Sequence, residues 1–256
     1  MKRRHSVTNE ERARIEPLLP KQGKMGRPRK DAREQVDAML WIFKTGAPWR
    51  DLPEYYGPWK TCLQQFPALA ERWSVGKYPQ ESESRFRFTV ANHGGFDQCK
   101  SASAQCWCKK GADNDRAIGR SRGGLTTKVH AEVDEKGRPV KLLLSRGNLN
   151  DITLAPRLVD GLTLAKCFVL ADKGYDSSDF VQLIEDSGGS AVIPPRSNAR
   201  NPREYDKGMY KRRNLVERFF NRMKQFRRFA TRYEKTAKSF LSLVHFFAVF
   251  VWISIS

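Results

Sequence analysis

Four polar residues, Tyr210, Arg213, Glu217 and Lys224, stand in the order Y-x2-R-x3-E-x6-K within one helix-forming stretch. At 100° per residue, Tyr210 and Lys224 fall about 20° either side of Glu217 and Arg213 about 40° away, so the four share one helical face. Leu215, Val216, Phe219, Phe220, Met223 and Phe226 cover the far side and one flank, as in a helix docked on a core. A lone glutamate among basic residues is ordinarily a solvated ion-pair partner. A carboxylate aligned with an arginine and a lysine has a second use: it can ligate a divalent cation while its neighbours grip phosphate. A second candidate is Asp172, the first polar residue after the apolar run CFVLA at 167–171. Ligand-binding groups collect at such strand ends in open α/β sheets, although an aspartate opening a Gly174-containing turn has the same look.

The elements that must position these groups can be read from the remaining pattern. Residues 8–19 and 31–45 carry helical periodicity, the second turning Val36, Met39, Leu40 and Ile42 towards a core. Gly46, Pro48, Pro53, Gly57 and Pro58 then enforce turns around Trp49, Tyr55, Tyr56 and Trp59. Between the two helices lies KMGRPRK, which suits a basic arm in a minor groove but is read more simply as a basic linker. From residue 124 the pattern changes. LTTKVHAEVD and RPVKLLLS form strands joined at Glu135-Lys136-Gly137, followed by a helix over 151–163, the CFVLA strand, a helix over 176–187 and a strand around AVIPPR. That order is α/β.

The chain has 256 residues, 39% of them hydrophobic, enough for one large domain and a small appendage. Lys and Arg outnumber Asp and Glu by 47 to 28, a net charge of +19, which points to a polyanion, nucleic acid first. Residues 200–238 hold 14 Lys/Arg against 4 Asp/Glu, interleaved with Phe219, Phe220, Phe226, Phe229 and Tyr233, so this is a basic surface on a packed element. The charged opening MKRRHSVTNEERARIEPLLP is no secretory signal, and a cytoplasmic location is expected. Phe240 to Ile253, broken by Ser242 and His245, is short for a membrane span and reads as a core helix.

AIGRSRGGLTTKVH, VLADKGYD, AVIPPRSN followed by YKRRNLVERFFNRMKQFRR, and GAPWRDLPEYYGPWKT together resemble transposases of bacterial insertion sequences, of families four and five. The resemblance covers residues 7–61 and 109–253. It implies a ribonuclease H-like catalytic core (109–256) behind an α-helical DNA-binding module (1–61). It also implies an Asp-Asp-Glu triad holding magnesium or manganese ions, which cuts DNA at terminal inverted repeats and joins the ends to a target. By motif, Asp172 is the second carboxylate and Glu217 the third, both metal-binding and catalytic, while Tyr210, Arg213 and Lys224 occupy DNA-contacting places. The implied partners are double-stranded DNA, both terminal repeats and target, with a homo-oligomer on DNA as a possible assembly and no membrane. The implied location is the bacterial cytoplasm, at the nucleoid.

The first carboxylate is expected before residue 120, in a segment that relatives read as Asp-Ser-Thr after hydrophobic residues, and no such segment is present. Residues 62–108 resemble no part of the family. Four of the five cysteines lie there, but Cys99, Cys106 and Cys108 lack a fourth ligand at finger spacing, and His93 is a poor substitute. Reading the window one nucleotide later gives a better account. Cys106-Trp107-Cys108 then forces a glycine flanked by Ala or Val, as relatives have before Lys109-Lys110-Gly111, and Gly95-Phe96-Asp97-Gln98-Cys99 permits Asp-Ser-Thr-Ser. The window is therefore read as out of frame, with the sheet's first strand missing or scrambled. Asp97 makes a doubtful substitute ligand beside Gly94-Gly95. A smaller departure is Asn150 before Asp151, where many relatives carry His-Asp.

The resulting expectation is an insertion-sequence transposase whose cleavage is impaired. The alternative is a non-catalytic DNA-binding remnant; a plain basic structural protein would not need the Tyr210–Lys224 register.

Overall fold

The computed structural model describes residues 5–18, 32–72, 86–92, 116–121, 124–199, 202–230, 232–234 and 236–255. KMGRPRK lies outside them. The first helix, α1 (Asn9–Ile15), opens on a reciprocal cap. Thr8 Oγ1 accepts from the Glu11 amide at 3.2 Å, and Glu11 Oε2 accepts from the Thr8 amide at 2.8 Å. The second helix, α2 (Ala32–Thr45), buries Val36, Met39, Leu40 and Ile42 as the periodicity requires. Gly46 ends it at φ +74°, and a Cβ there would meet Arg227 Cβ at 2.9 Å, so conformation and close approach both demand glycine. Two 3-10 turns, Trp49–Asp51 and Glu54–Tyr56, lead into α3 (Trp59–Arg72).

The strands are β1 (Phe86–Asn92), β2 (Gly119–Ser121), β3 (Gly124–Val133), β4 (Pro139–Arg146), β5 (Phe168–Ala171) and β6 (Ser190–Val192). They form one sheet in the order β4-β3-β1-β5-β6, with β2 paired to the start of β3. β1 runs antiparallel to β3 and parallel to β5, and β6 is parallel to β5. The helices α4 (Ala155–Val159) and α5 (Ser178–Asp186) lie on the connections to β5 and β6. Beyond β6 come α6 (Lys207–Tyr210), α7 (Asn214–Lys224), α8 (Arg227–Ala230) and α9 (Ala237–Ile255). The architecture is mixed α/β.

Several boundaries differ from the sequence reading. A strand lies within the window expected to hold a missing or scrambled first strand: β1 occupies the sheet's centre, with Phe88 opposite Val133 and Phe86 opposite Phe168. Its sequence FRFTVAN alternates Phe86, Phe88 and Val90 with Arg87, Thr89 and Ala91, a period of two with aromatic and β-branched residues, which favours a strand whatever its origin. Residue 61 lies within α3, on which Cys62 and Phe66, about one turn apart on one face, are both buried. The helix expected over 151–163 is shorter, a 3-10 turn at Asp151–Leu154 and then α4, which ends before Gly161 at φ +72°.

The core centres on α9. Nineteen residues long, it is long and apolar enough to cross a membrane by composition, yet most of it is buried inside the protein. Phe246 packs edge-on against Phe43 of α2 at 4.7 Å between ring centroids, while Phe247 meets Phe219, Phe226 and Phe229 at 5.4, 5.1 and 5.7 Å. Trp252 Nε1 donates to the Pro139 carbonyl of β4 at 2.8 Å, and Arg14 Nη1 of α1 to the Ile253 carbonyl at 2.6 Å. The helical module, the sheet and the glutamate helix are thereby closed on one element. Each buried phenylalanine contributes about 1.5–3 kcal/mol, so α9 supplies much of what holds the three together.

Candidate active site

β5 delivers Asp172. Val169, Leu170 and Ala171 are fully buried, and the chain leaves the sheet at the next residue, so the aspartate is half-buried at the strand's carboxyl end. Its Oδ1 accepts from the Lys173 amide at 2.7 Å and caps a 3-10 turn, Lys173–Tyr175. That turn is built on Tyr175, whose ring is buried and whose hydroxyl lies 3.1 Å from His130 Nδ1 on β3. His130 Nε2 in turn lies 2.8 Å from Ser145 Oγ on β4. Beside the turn sits Asp151, buried and paired with Lys128 Nζ at 3.0 Å; the same ammonium donates to the Leu149 carbonyl at 2.6 Å. Burial raises the Tyr175 phenol well above its ordinary value, and the charges of Asp151 and Asp172 raise it further.

The sequence reading singles out Asp172 but not Tyr175, His130, Lys128 or Asp151 as parts of its surroundings. The only signal was proximity: Tyr175 stands three residues on, in DKGYD, and Asp151 follows the unusual Asn150.

The second carboxylate comes from the helical side. Tyr210 ends α6, Lys211–Arg213 tighten into a 3-10 turn, and α7 begins at Asn214, so the four polar residues lie on three joined helical pieces rather than one α-helix. The chain stays right-handed across the joins, and the grouping survives. Arg213 Nη2 meets Glu217 Oε1 at 2.5 Å, and its guanidinium lies 5.5 Å from the Tyr210 ring centroid. Glu217 is 53% exposed against 20% for Arg213, and Lys224 is exposed about two turns along the same face. Val216, Phe219, Phe220, Met223 and Phe226 are buried on the opposite side.

Tyr210 stands in the field of both carboxylates. Its phenol is raised from the ordinary value chiefly by burial; Arg213 lowers it, and Asp172, Tyr205 and Glu217 each raise it. The charges of the strand-end aspartate and of the helix glutamate thus both act on this one hydroxyl. Asp176 is otherwise engaged, accepting from the Arg196 amide at 2.8 Å and pairing with Arg203.

β1 supplies no third carboxylate. Thr89 pairs with Ala171, and continuing that register sets Val90 beside Asp172; FRFTVAN contains neither Asp nor Glu. Asp97, Asp113 and Asp115 lie outside the described residues, as do His93, Cys99, Cys106 and Cys108. Among the described residues no group of three or more His, Cys, Asp or Glu side chains is arranged to hold a metal ion. Asp172 and Glu217 are both reached by solvent, and a carboxylate oxygen is the donor type that hard divalent cations take.

The basic stretch divides by burial. Lys207, Lys211, Arg218 and Lys224 are exposed along α6 and α7. Arg228 and Arg232 are not: Arg228 donates to Glu234 Oε1 at 2.8 and 3.0 Å and to the Ala47 carbonyl at 3.1 Å. Arg232 donates to the Arg116 carbonyl at 2.7 Å and to Thr127 Oγ1. Those two arginines fasten the fold.

Residues 7–75 match a family described as "Putative transposase of IS4/5 family", and residues 89–252 match the family "Transposase DDE domain". These matches enter the 62–108 window from both sides and leave only 76–88 between them. A "Putative transposase for insertion sequence element IS6501" of Brucella ovis is 33% identical over 130 residues, which are 50% of this chain and 99% of that protein. A "Putative transposase for insertion sequence element IS402" of Burkholderia cepacia is 31% identical over 128 residues, 46% of this chain and 57% of the relative. No solved structure matches the chain.

Proposed function

Because the chain belongs to the transposase DDE domain family, we propose that it acts on an insertion sequence by binding double-stranded DNA at the terminal inverted repeats and is defective in cutting it. The binding half rests on a net charge of +19 and on the exposed bases Lys207, Lys211, Arg218 and Lys224 lining the helices that carry Glu217. Tyr210, Arg213 and Lys224 are the proposed DNA contacts. The ribonuclease H-like reading of the core is supported by the parallel β1–β5 pair at the sheet's centre, with Asp172 at the end of β5. The helical residues of 1–61 are proposed to contact DNA as well.

Family members ordinarily work with a divalent metal, and here Asp172 and Glu217 are the carboxylates proposed to hold it. Such an ion, magnesium or manganese, would polarise the scissile phosphate and lower the pKa of a bound water or hydroxyl. The protein's own part is to bind and orient. Arg213 pairs with the Glu217 carboxylate while stacking near Tyr210, and Lys224 and the exposed bases of α6 and α7 offer point charges to phosphate oxygens.

The proposed defect rests on one observation: β1, paired with β5 as far as Thr89 and Ala171, holds no carboxylate. Two converging carboxylates hold a metal pair in poor geometry. A compensated slip of reading frame between codons 62 and 108 is the proposed origin, and the nucleotide sequence of codons 60–110 tests it. The function is tested by incubating the purified protein with repeat-ended DNA and magnesium or manganese. Retarded mobility without nicking is expected; robust strand cleavage would place the first ligand outside β1, among Asp97, Asp113 and Asp115.

A further inference from the structure

We infer that Asp151 and Tyr175 are positioning residues for the Asp172 carboxylate, fixing from β3 and β4 a turn that the end of β5 alone leaves loose. The inference rests on the reading of Asp172 as a metal-holding group. A carboxylate at a strand end, with a three-residue turn behind it, keeps its direction only if that turn is held. Three contacts hold it. The Lys173 amide donates to Asp172 Oδ1 at 2.7 Å, which fixes the side chain to the turn's own backbone. Tyr175 closes the turn, and its buried hydroxyl, 3.1 Å from His130 Nδ1, joins it to a ring that also reaches Ser145 Oγ at 2.8 Å. Asp151 Oδ2 lies 3.4 Å from where a Cβ on Gly174 would stand, so the aspartate lies beside the middle of the turn while Lys128 Nζ restrains it at 3.0 Å.

The arrangement runs from strand to strand. Lys128 and His130 are alternate residues of β3 and point to the same face; one steadies Asp151 and the other Tyr175. Neither Asp151 nor Tyr175 needs to touch DNA or metal to matter: loss of an outer partner commonly weakens a metal ligand 10- to 100-fold. The raised phenol of Tyr175 agrees, because a protonated hydroxyl can donate to His130 while lying in the field of two carboxylates.

The test measures manganese binding to the full chain by electron paramagnetic resonance, with the Lys173 amide resonance as a local reporter and thermal unfolding as a control. D172N is expected to remove the site. D151N and Y175F are expected to raise the dissociation constant about tenfold and to shift the Lys173 amide, Y175F doing so with its ring still buried should D151N fail to fold. Lys128→Arg should keep near-normal affinity and Lys128→Met should not, a difference that a general loss of packing would not produce. The D151N/D172N pair should bind no worse than D172N alone. Normal affinity and an unmoved Lys173 amide in Y175F and D151N would overturn the proposal, as would additive losses, which would make Asp151 a ligand itself. If D172N leaves manganese binding unchanged, the assignment of Asp172 fails and the positioning role with it.

Discussion

At the scale of single residues, Arg213 is a side chain whose proposed role can be separated from stability. Its pairing with Glu217 is an i,i+4 contact to a half-exposed carboxylate, and such pairs contribute roughly 0.3–0.5 kcal/mol. Arg213→Ala should therefore leave the unfolding midpoint almost unmoved while weakening DNA binding and reducing the slope of log affinity against log salt by about 1. A titration between roughly 50 and 200 mM salt reads this directly; an unchanged slope would remove Arg213 from the phosphate contacts. His245 makes the opposite case. Burial on α9 holds its pKa down from 6.5 to about 4, so the unfolded chain binds a proton that the folded chain refuses between those values. Stability should fall as pH drops from 6.5 towards 4, by on the order of 3 kcal/mol at 1.36 kcal/mol per unit. His245→Leu should flatten that part of the profile measured by urea unfolding. Asp172 and Glu217 were legible in sequence because a strand end and a helical period are local patterns. Lys128, His130 and Asp151 were not, since their meaning comes from pairings such as His130 with Ser145 and Tyr175 that only the folded sheet creates.

At the scale of elements, α7 was read well, and the buried set Val216, Phe219, Phe220 and Met223 follows the spacing. What the period could not reveal was the 3-10 turn at Lys211–Arg213, because tightening by one hydrogen bond leaves no mark in hydrophobicity. β1 was missed for a different reason. The alternation of Phe86, Phe88 and Val90 was present in the letters, but an argument from family likeness set the segment aside. The basic run was legible in charge and not in placement: only contacts with residues about 180 positions away in sequence, as Arg228 makes with Ala47, separate a fastening arginine from a binding one. Arg228→Ala strands Glu234 in the interior and should cost about 3–5 kcal/mol in denaturant unfolding. Replacing both partners, Arg228→Met with Glu234→Gln, should cost less than the single change. Equal losses would show that the carbonyl contact to Ala47, rather than the ion pair, carries the stability.

For the whole molecule, the order of elements was enough to reach an α/β fold, the charge balance to expect a polyanionic partner, and the motifs to reach the family. The way the pieces share a core was not legible, because the helical opening looked self-contained. Its α2 and α3 instead pack against α9 from the far end of the sequence. The prediction at this scale concerns repair. Restoring the frame between codons 62 and 108 should bring Asp-Ser-Thr in place of Gly95-Phe96-Asp97, and metal-dependent nicking of repeat-ended DNA should then appear. Continuing the β1–β5 register sets Val90 opposite Asp172, so bringing position 95 to that place would take a shift of about five residues, roughly 17 Å at the rise of a strand. Cleavage without such a shift, followed by cross-linking between β1 and β5, would refute that alignment. Asp172→Ala or Glu217→Ala in the repaired chain should abolish cleavage.

The position of α9 also governs how the protein comes into being. Every other described helix and strand precedes it in synthesis, yet Phe43, Phe66 and Phe219 all close on its rings. Until those residues emerge, the earlier apolar faces have nothing to cover them and must wait, open to chaperones and proteases. An unrescued shift of frame or an early stop would lose α9 and leave that surface permanently bare. Only a product translated as far as α9 can close this core.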